Sequence, residues 1–159
     1  MISAQSVSFQ DSIGTTVASF LALDCSSERG GFLLGRLPTA SDPVTRIDVV
    51  IPCPDAPSTA SSLTFRADEW QLVHGHPLIR DGFTEIVGWF HSHPDFSVRM
   101  SAWDRFIQRH FFAHPGHVAW IRDPVSGEEA FWAMQVNNVD ASETIVPLPR
   151  SASKGVLRA

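Results

Sequence analysis

A chain of 159 residues, 43% apolar and 18% charged, has the size and composition of one globular domain with a sizeable core. Its net charge of −5 and the lack of any concentrated basic stretch exclude a phosphate-binding surface, so nucleic acid is not an expected partner. Two cysteines, Cys25 and Cys53, are too few for a disulfide framework; they could pair with each other, but two buried free thiols is the preferred reading. No segment approaches the ~20 apolar residues of a membrane helix. Met1 to Gln10 carries neither a basic n-region nor a long apolar run, so no signal peptide is expected and the expected localisation is cytoplasmic.

In chain order, Val7 to Gln10 is a short strand candidate, and Asp11 to Leu23 spaces Ile13, Val17, Phe20 and Leu21 as a helix does. Gly30-Gly31-Phe32-Leu33-Leu34-Gly35-Arg36 is an apolar strand opened by paired glycines, a sign of close backbone approach. Arg46 to Ile51 is a Val/Ile-rich strand stopped by Pro52 to Pro57. Ser58 to Ser62 reads as a flexible polar loop, Leu63 to Arg66 as a strand, and Ala67 to His74 as a helix with Asp68 and Glu69 in its first turn. Pro77 prevents that helix from running on undisturbed.

Glu85 to His91 is an apolar strand of the sort found in a sheet covered on both faces. After a loop from Pro94 to Met100, Ser101 to Phe112 is a helix with Trp103, Ile107 and Phe111 on one stripe. Val118 to Arg122 and Ala130 to Met134 are strands joined by the turn sequence Asp123-Pro124-Val125-Ser126-Gly127. Beyond Asn138 the pattern fades. The reading is therefore one domain over 1–140 and a partly flexible tail over 141–159. Strands and helices mix without regular βαβ alternation, which predicts an α/β domain with a mixed sheet and helices packed on it.

The chemistry concentrates in His91-Ser92-His93-Pro94 and, further on, Ser101-Ala102-Trp103-Asp104, a spacing of H-x-H-x7-S-x2-D. Residues i and i+2 of a strand face the same side, so His91 and His93 project two imidazoles together. Asp104, in the first turn of the next helix, can fold back to complete the set. Two histidines, a carboxylate and a water make an open, catalytic zinc site. Such a metal lowers the pKa of its water toward ~7 and polarises a carbonyl, but hydrolysis still needs a base. Glu85 shares parity with His91 yet lies ~20 Å back along the strand at ~3.3 Å per residue. Glu28, beside the glycine pair, is the better candidate.

Glu28 with Gly30-Gly31-Phe32-Leu33-Leu34-Gly35, then Gly88-Trp89-Phe90-His91-Ser92-His93-Pro94, then Met100-Ser101-Ala102-Trp103-Asp104, resembles the JAMM (MPN-plus) metallopeptidases. The likeness runs from about Glu28 to Trp132, takes in Val118-Ala119-Trp120-Ile121 and Asp123-Pro124, and fills the family's metal, base and serine positions. It implies an MPN (JAB) fold, a curved mixed sheet flanked by helices in a cytidine-deaminase-like layout. It implies one Zn²⁺ held by His91, His93 and Asp104, Glu28 as general acid/base, and Ser101 as a donor to the tetrahedral oxyanion. The implied activity is hydrolysis of the isopeptide or peptide bond after the tail of a ubiquitin-like protein. Activating and conjugating enzymes of the same pathway are then further partners. The short form, without fused modules, is like the family's bacterial members. The family's substrate tail lies along a strand edge, for which Ser62, Leu63, Thr64, Phe65 and Arg66 are the candidates. A non-catalytic MPN scaffold that binds such partners is the alternative; inactive relatives lose ligands, and here none is lost.

Blander readings apply elsewhere. His74-x-His76 imitates the pair, but its continuation meets Thr84 and Val87 instead of serine and aspartate, so these read as surface histidines. His110, His114 and His117 are split by Pro115-Gly116 and read as structural. Ser101 and Asp104 also form a capping-box pattern, compatible with a role in the site. Trp89, Phe90, Trp103 and Trp120 read as core. Lack of a Cys-x-x-Cys pair disfavours a zinc nucleoside deaminase.

Overall fold

The computed structural model describes residues 1–137 and 139–151. The chain runs β1 (Ser6–Ser8), α1 (Asp11–Leu21), β2 (Gly30–Arg36), β3 (Val44–Pro52), β4 (Ser58–Thr59), β5 (Ser62–Leu63), α2 (Ala67–His74) and α3 (Pro77–Arg80). It continues through β6 (Glu85–Ser92), α4 (Ala102–Phe111), β7 (Val118–Arg122), β8 (Glu129–Val136) and β9 (Glu143–Leu148). Seven strands form one sheet in the order β1-β3-β2-β6-β7-β8-β9. The β1–β3 and β6–β7 pairs are parallel and the other pairs antiparallel. The sheet curls until its ends meet: Val7 N–H donates to Pro149 O, and Ser151 N–H to Val7 O. This mixed, curved, nearly closed sheet with a few helices is the α/β class read from the sequence.

Apolar side chains on each face explain the layers. On one face Val17 and Leu21 of α1 pack with Val7, Leu33, Phe90 and Trp120. On the other, Phe32, Leu34, Trp89 and Ile121 pack with Val73 of α2 and Ile107 of α4. Strand β6 carries large residues to both faces, as its apolar run predicts. A register shift against β2 between Leu33 and Leu34 falls opposite Gly88, whose φ of 152° suits glycine. A Cβ there would stand 2.0 Å from Val118 O.

Five sequence readings change. Ser58 to Ser62 is not a loose loop: β4 and β5 pair as a small separate hairpin. The strand read at Leu63 to Arg66 shrinks accordingly, because Phe65 turns into the core and stacks on Phe32, and Arg66 is the N-cap of α2. The tail read from residue 141 instead opens with β9, paired along β8. It escaped notice because Pro147 interrupts it, which an edge strand tolerates. The α4 stripe is also different: Asp104, Ile107 and Gln108 are buried, while Trp103 and Phe111 are 40% and 49% exposed. Of the two thiols, Cys53 is buried as expected, but Cys25 is exposed. No helix among the described residues is long and apolar enough to cross a membrane.

Candidate metal centre

The end of β6, the N-terminus of α4 and the segment before β2 converge on one buried point. Glu28, His91, His93 and Asp104 each offer a ligand atom there, all within 4.8 Å of one another. None is more than 1% exposed. Strand parity sends both imidazoles to the α4 side, as the i, i+2 spacing predicts. His91 stacks on Trp89 with ring centroids 4.3 Å apart, and His93 on Phe96 at 4.2 Å. Trp89 is in turn held by its indole N–H, which donates to Gln108 Oε1 at 2.6 Å. Gln108 is buried to make that bond, which is why α4 turns a polar residue inward.

Asp104 is oriented by its helix. Ser101 Oγ accepts from Asp104 N–H at 3.0 Å, and Ser101 N–H donates to Asp104 Oδ2 at 3.0 Å, a complete capping box. The same carboxylate reaches His91 Nε2 at 3.0 Å and His93 Nε2 at 2.9 Å. Accepting from Asp104 leaves the Ser101 hydroxyl proton free to donate elsewhere.

Glu28 arrives by a different route. Its N–H donates to Thr59 O of the hairpin at 2.8 Å, and the next residue, Arg29, bonds Ser92. Gly30 lies opposite His91, where a Cβ would meet Phe90 O at 2.1 Å and Leu63 Cδ2 at 2.7 Å. The glycine therefore lets β2 lie against β6 at the site. Among the described residues, neither Glu28 oxygen has a hydrogen-bond partner.

The hydrogen-bond accounting favours a cation. His93 Nδ1 lies 2.7 Å from Ser97 O. A carbonyl can only accept, so Nδ1 carries the proton and Nε2 of the neutral ring presents a lone pair. That lone pair faces Asp104 Oδ2 at 2.9 Å and His91 Nε2 at 3.1 Å. The His93 lone pair and the Asp104 oxygen are then two acceptors 2.9 Å apart, which repel unless a proton or a metal cation stands between them. Ligands ~2.0–2.1 Å from one tetrahedral ion stand about 3.3 Å apart, close to the spacing observed. The buried Glu/His/His/Asp group thus fits a metal site of the JAMM kind, and its imidazole and carboxylate donors suit a first-row divalent ion.

Electrostatics separates the two acids. Burial, then the Asp104 charge, pushes Glu28 up from 4.5 to about 9. Burial opposes ionisation of Asp104 as well, but any positive charge at His91, with the hydrogen bonds that His91, His93 and the Ser101 N–H can donate, pulls it well below the ordinary carboxylate range. Burial lowers His91 despite the Asp104 charge beside it, which keeps the ring neutral and able to ligate.

The remaining sequence candidates stand apart. Among Ser62, Leu63, Thr64, Phe65 and Arg66, the first two form β5, Leu63 O accepts from Trp103 Nε1, and Arg66 pairs with Glu69. His74 is exposed against Trp70, and His76 Nδ1 accepts from Leu78 N–H to cap α3. His114 Nδ1 accepts from Gly116 N–H. Glu85 accepts from Leu37 N–H, outside the buried group. Sequence reasoning missed Ser92, the Thr59 and Ser97 carbonyls, and Asp123. Asp123 is buried and accepts from Asp95 N–H at 3.0 Å, fixing the loop that carries Ser97. Ser92, set between the two histidines, was the one residue of these whose position offered a signal.

No protein-family profile matches the chain. A segment of 73 residues is 38% identical to the uncharacterized protein F37A4.5 of Caenorhabditis elegans. The match covers 43% of this chain and 23% of that protein, so the chain spans less than a quarter of its relative. The fold is similar to the solution structure of protein DSY2949 from Desulfitobacterium hafniense, with a TM-score of 0.66 over 92% of each chain. At 16% identity that likeness shows a shared fold alone.

Proposed function

We propose that the chain is a zinc metallopeptidase of the JAMM type, which hydrolyses the isopeptide or peptide bond after the tail of a ubiquitin-like protein. The observation that carries this reading is Glu28: a buried carboxylate without a hydrogen-bond partner, grouped with His91, His93 and Asp104. A purely structural metal site closes its coordination and has no use for such a group.

His91, His93 and Asp104 are the residues that would hold the ion. When bound, Zn²⁺ supplies Lewis-acid activation of a water and of the scissile carbonyl. Glu28 takes the proton of the attacking water and returns it to the leaving amine. The Ser101 hydroxyl donates to the oxygen on which negative charge develops. Asp104 stays ionised throughout, held by the Ser101 N–H. The substrate tail runs beside the β4–β5 hairpin, whose Thr59 carbonyl also holds the Glu28 amide.

The test is cleavage of ubiquitin-like fusion proteins by the purified chain. Cleavage should stop on chelation, return with Zn²⁺, and be absent from Glu28→Gln. Unchanged cleavage by Glu28→Gln removes Glu28 from its role, and cleavage indifferent to chelator removes the metal.

A further inference from the structure

We propose that Ser92 is a positioning residue for Glu28, acting through the Arg29 amide; this rests on Glu28 being the general acid/base. Strands β2 and β6 pair at Gly31 with Phe90 and at Gly30 with His91, so the next rung sets Arg29 against Ser92. Ser92 N–H donates to Arg29 O at 2.8 Å. In a regular antiparallel rung the two residues exchange both bonds, and Arg29 N–H would return to the Ser92 carbonyl. Here it donates to Ser92 Oγ, at 2.9 Å. A side chain takes the place of the main chain, and the ladder ends one residue from Glu28.

That substitution locates the base. The Glu28 carboxylate has no hydrogen-bond partner among the described residues, so its place is set by the backbone that carries it. Three bonds hold that backbone: Glu28 N–H to Thr59 O, Ser92 N–H to Arg29 O, and Arg29 N–H to Ser92 Oγ, the one that a side chain supplies. Ser92 is fully buried, so water cannot replace the hydroxyl. Parity turns Ser92 to the opposite side of the strand from His91 and His93. One strand end therefore presents two ligands on one side and anchors the base through the residue between them. The base and the two histidines keep their mutual distance because the segment that carries Glu28 is bonded to the residue between them.

The test uses Ser92→Ala and Ser92→Thr in the full chain, with three readouts. In metal-free Ser92→Ala, NMR should show the Arg29 and Glu28 amides exchanging about tenfold faster, as loss of an ordinary hydrogen bond gives. The His93 amide, bonded to Arg122 O at 3.0 Å, should keep its rate. Zn²⁺ affinity, read by competition with a chromogenic chelator, should stay within about twofold, because every ligand remains. With a ubiquitin-like fusion as substrate, kcat should fall about 10- to 100-fold at unchanged KM, the effect of a misplaced catalytic group. Ser92→Thr, which keeps the hydroxyl, should restore the slow Arg29 amide and kcat. An unchanged Arg29 amide in Ser92→Ala overturns the proposal. So does loss of Zn²⁺ affinity together with kcat, unchanged kcat, or a threonine variant that leaves the Arg29 amide fast. If the wild type cleaves nothing, or Glu28→Gln cleaves normally, the functional reading falls, and amide exchange alone still decides whether Ser92 fixes the Glu28 segment.

Discussion

Glu28→Gln removes one carboxyl group from a site that is 1% exposed, at almost no change in volume. Burial and the neighbouring Asp104 raise the Glu28 pKa from 4.5 to about 9. Between those two values the folded protein keeps a proton that the unfolded chain has released. The free energy of unfolding therefore falls as pH rises through this window, and it is flat below 4.5 and above about 9. At ~1.4 kcal/mol per pH unit the ceiling is about 6 kcal/mol. Relaxation and water at the mouth of the site bring the expected penalty to about 2–4 kcal/mol. Glutamine carries no proton to lose. Metal-free Glu28→Gln should thus match the wild type at pH ~4.5 and exceed its stability by that amount at pH ~9. For a chain of this length the gain is a rise of about 5–15 °C in Tm. Urea unfolding of both proteins at the two pH values, after chelation, measures it; the difference between them cancels the groups they share. With saturating Zn²⁺ the positive ion stabilises the ionised wild-type carboxylate, and the alkaline gap should shrink. A gap that is the same at both pH values, or that Zn²⁺ leaves untouched, refutes the placement of Glu28 beside the metal ligands.

Asp104→Ala removes a ligand and half of the capping box, so stoichiometric Zn²⁺ binding should vanish and α4 should lose about 1 kcal/mol of stability, read by metal analysis and urea unfolding. Gly30→Ala puts a methyl group 2.1 Å from Phe90 O and 3.0 Å from His91 Cβ, and should cost about 3 kcal/mol while weakening Zn²⁺ binding, because β2 must part from β6. His117 is pushed down from 6.5 to about 4, by burial first and then by His114. Its neutral form stabilises the fold above pH 6.5, and that contribution is lost as pH falls toward 4. His117→Gln should therefore flatten the acid limb of the stability profile by about 1–2 kcal/mol between pH ~6.5 and ~4.5, checked by urea midpoints at both.

What could be read from residue types alone depended on whether the structure uses side chains or main chain. The strand at Glu85–Ser92 was legible because a covered strand must be apolar along its length. The His91, His93 and Asp104 spacing was legible because only a few side chains ligate metals. The β4–β5 hairpin was not: Ser58, Thr59 and Ser62 carry no alternating pattern. The hairpin is fixed from outside, by the Glu28 amide on Thr59 O and the Trp103 indole on Leu63 O. The carbonyl that orients His93 belongs to Ser97, and any residue there would supply it. The α4 stripe was misread because Asp104 and Gln108 are buried to serve His91, His93 and Trp89, at positions where amphipathic spacing alone expects solvent.

The pair His74 and His76 shows what the local spacing lacks. The His74 ring stacks on the half-buried Trp70, and His76 accepts from a helix-capping amide, so the two rings serve different neighbours. His91 and His93 instead point their Nε2 atoms at each other and at one carboxylate, all of them buried. A second acid, Glu28, is brought in with no donor for either oxygen. Folding alone gains nothing from that arrangement, because buried acceptors without donors cost free energy. A divalent cation reverses the balance: it gives the imidazole lone pairs a partner and offsets the charge of both acids. The glycine at position 30, the Thr59 carbonyl and the Ser92 hydroxyl all act on the approach of the segment that carries Glu28. So much local structure devoted to delivering an unpartnered carboxylate is what the proposed proton transfer would need, and what a site that only binds would not.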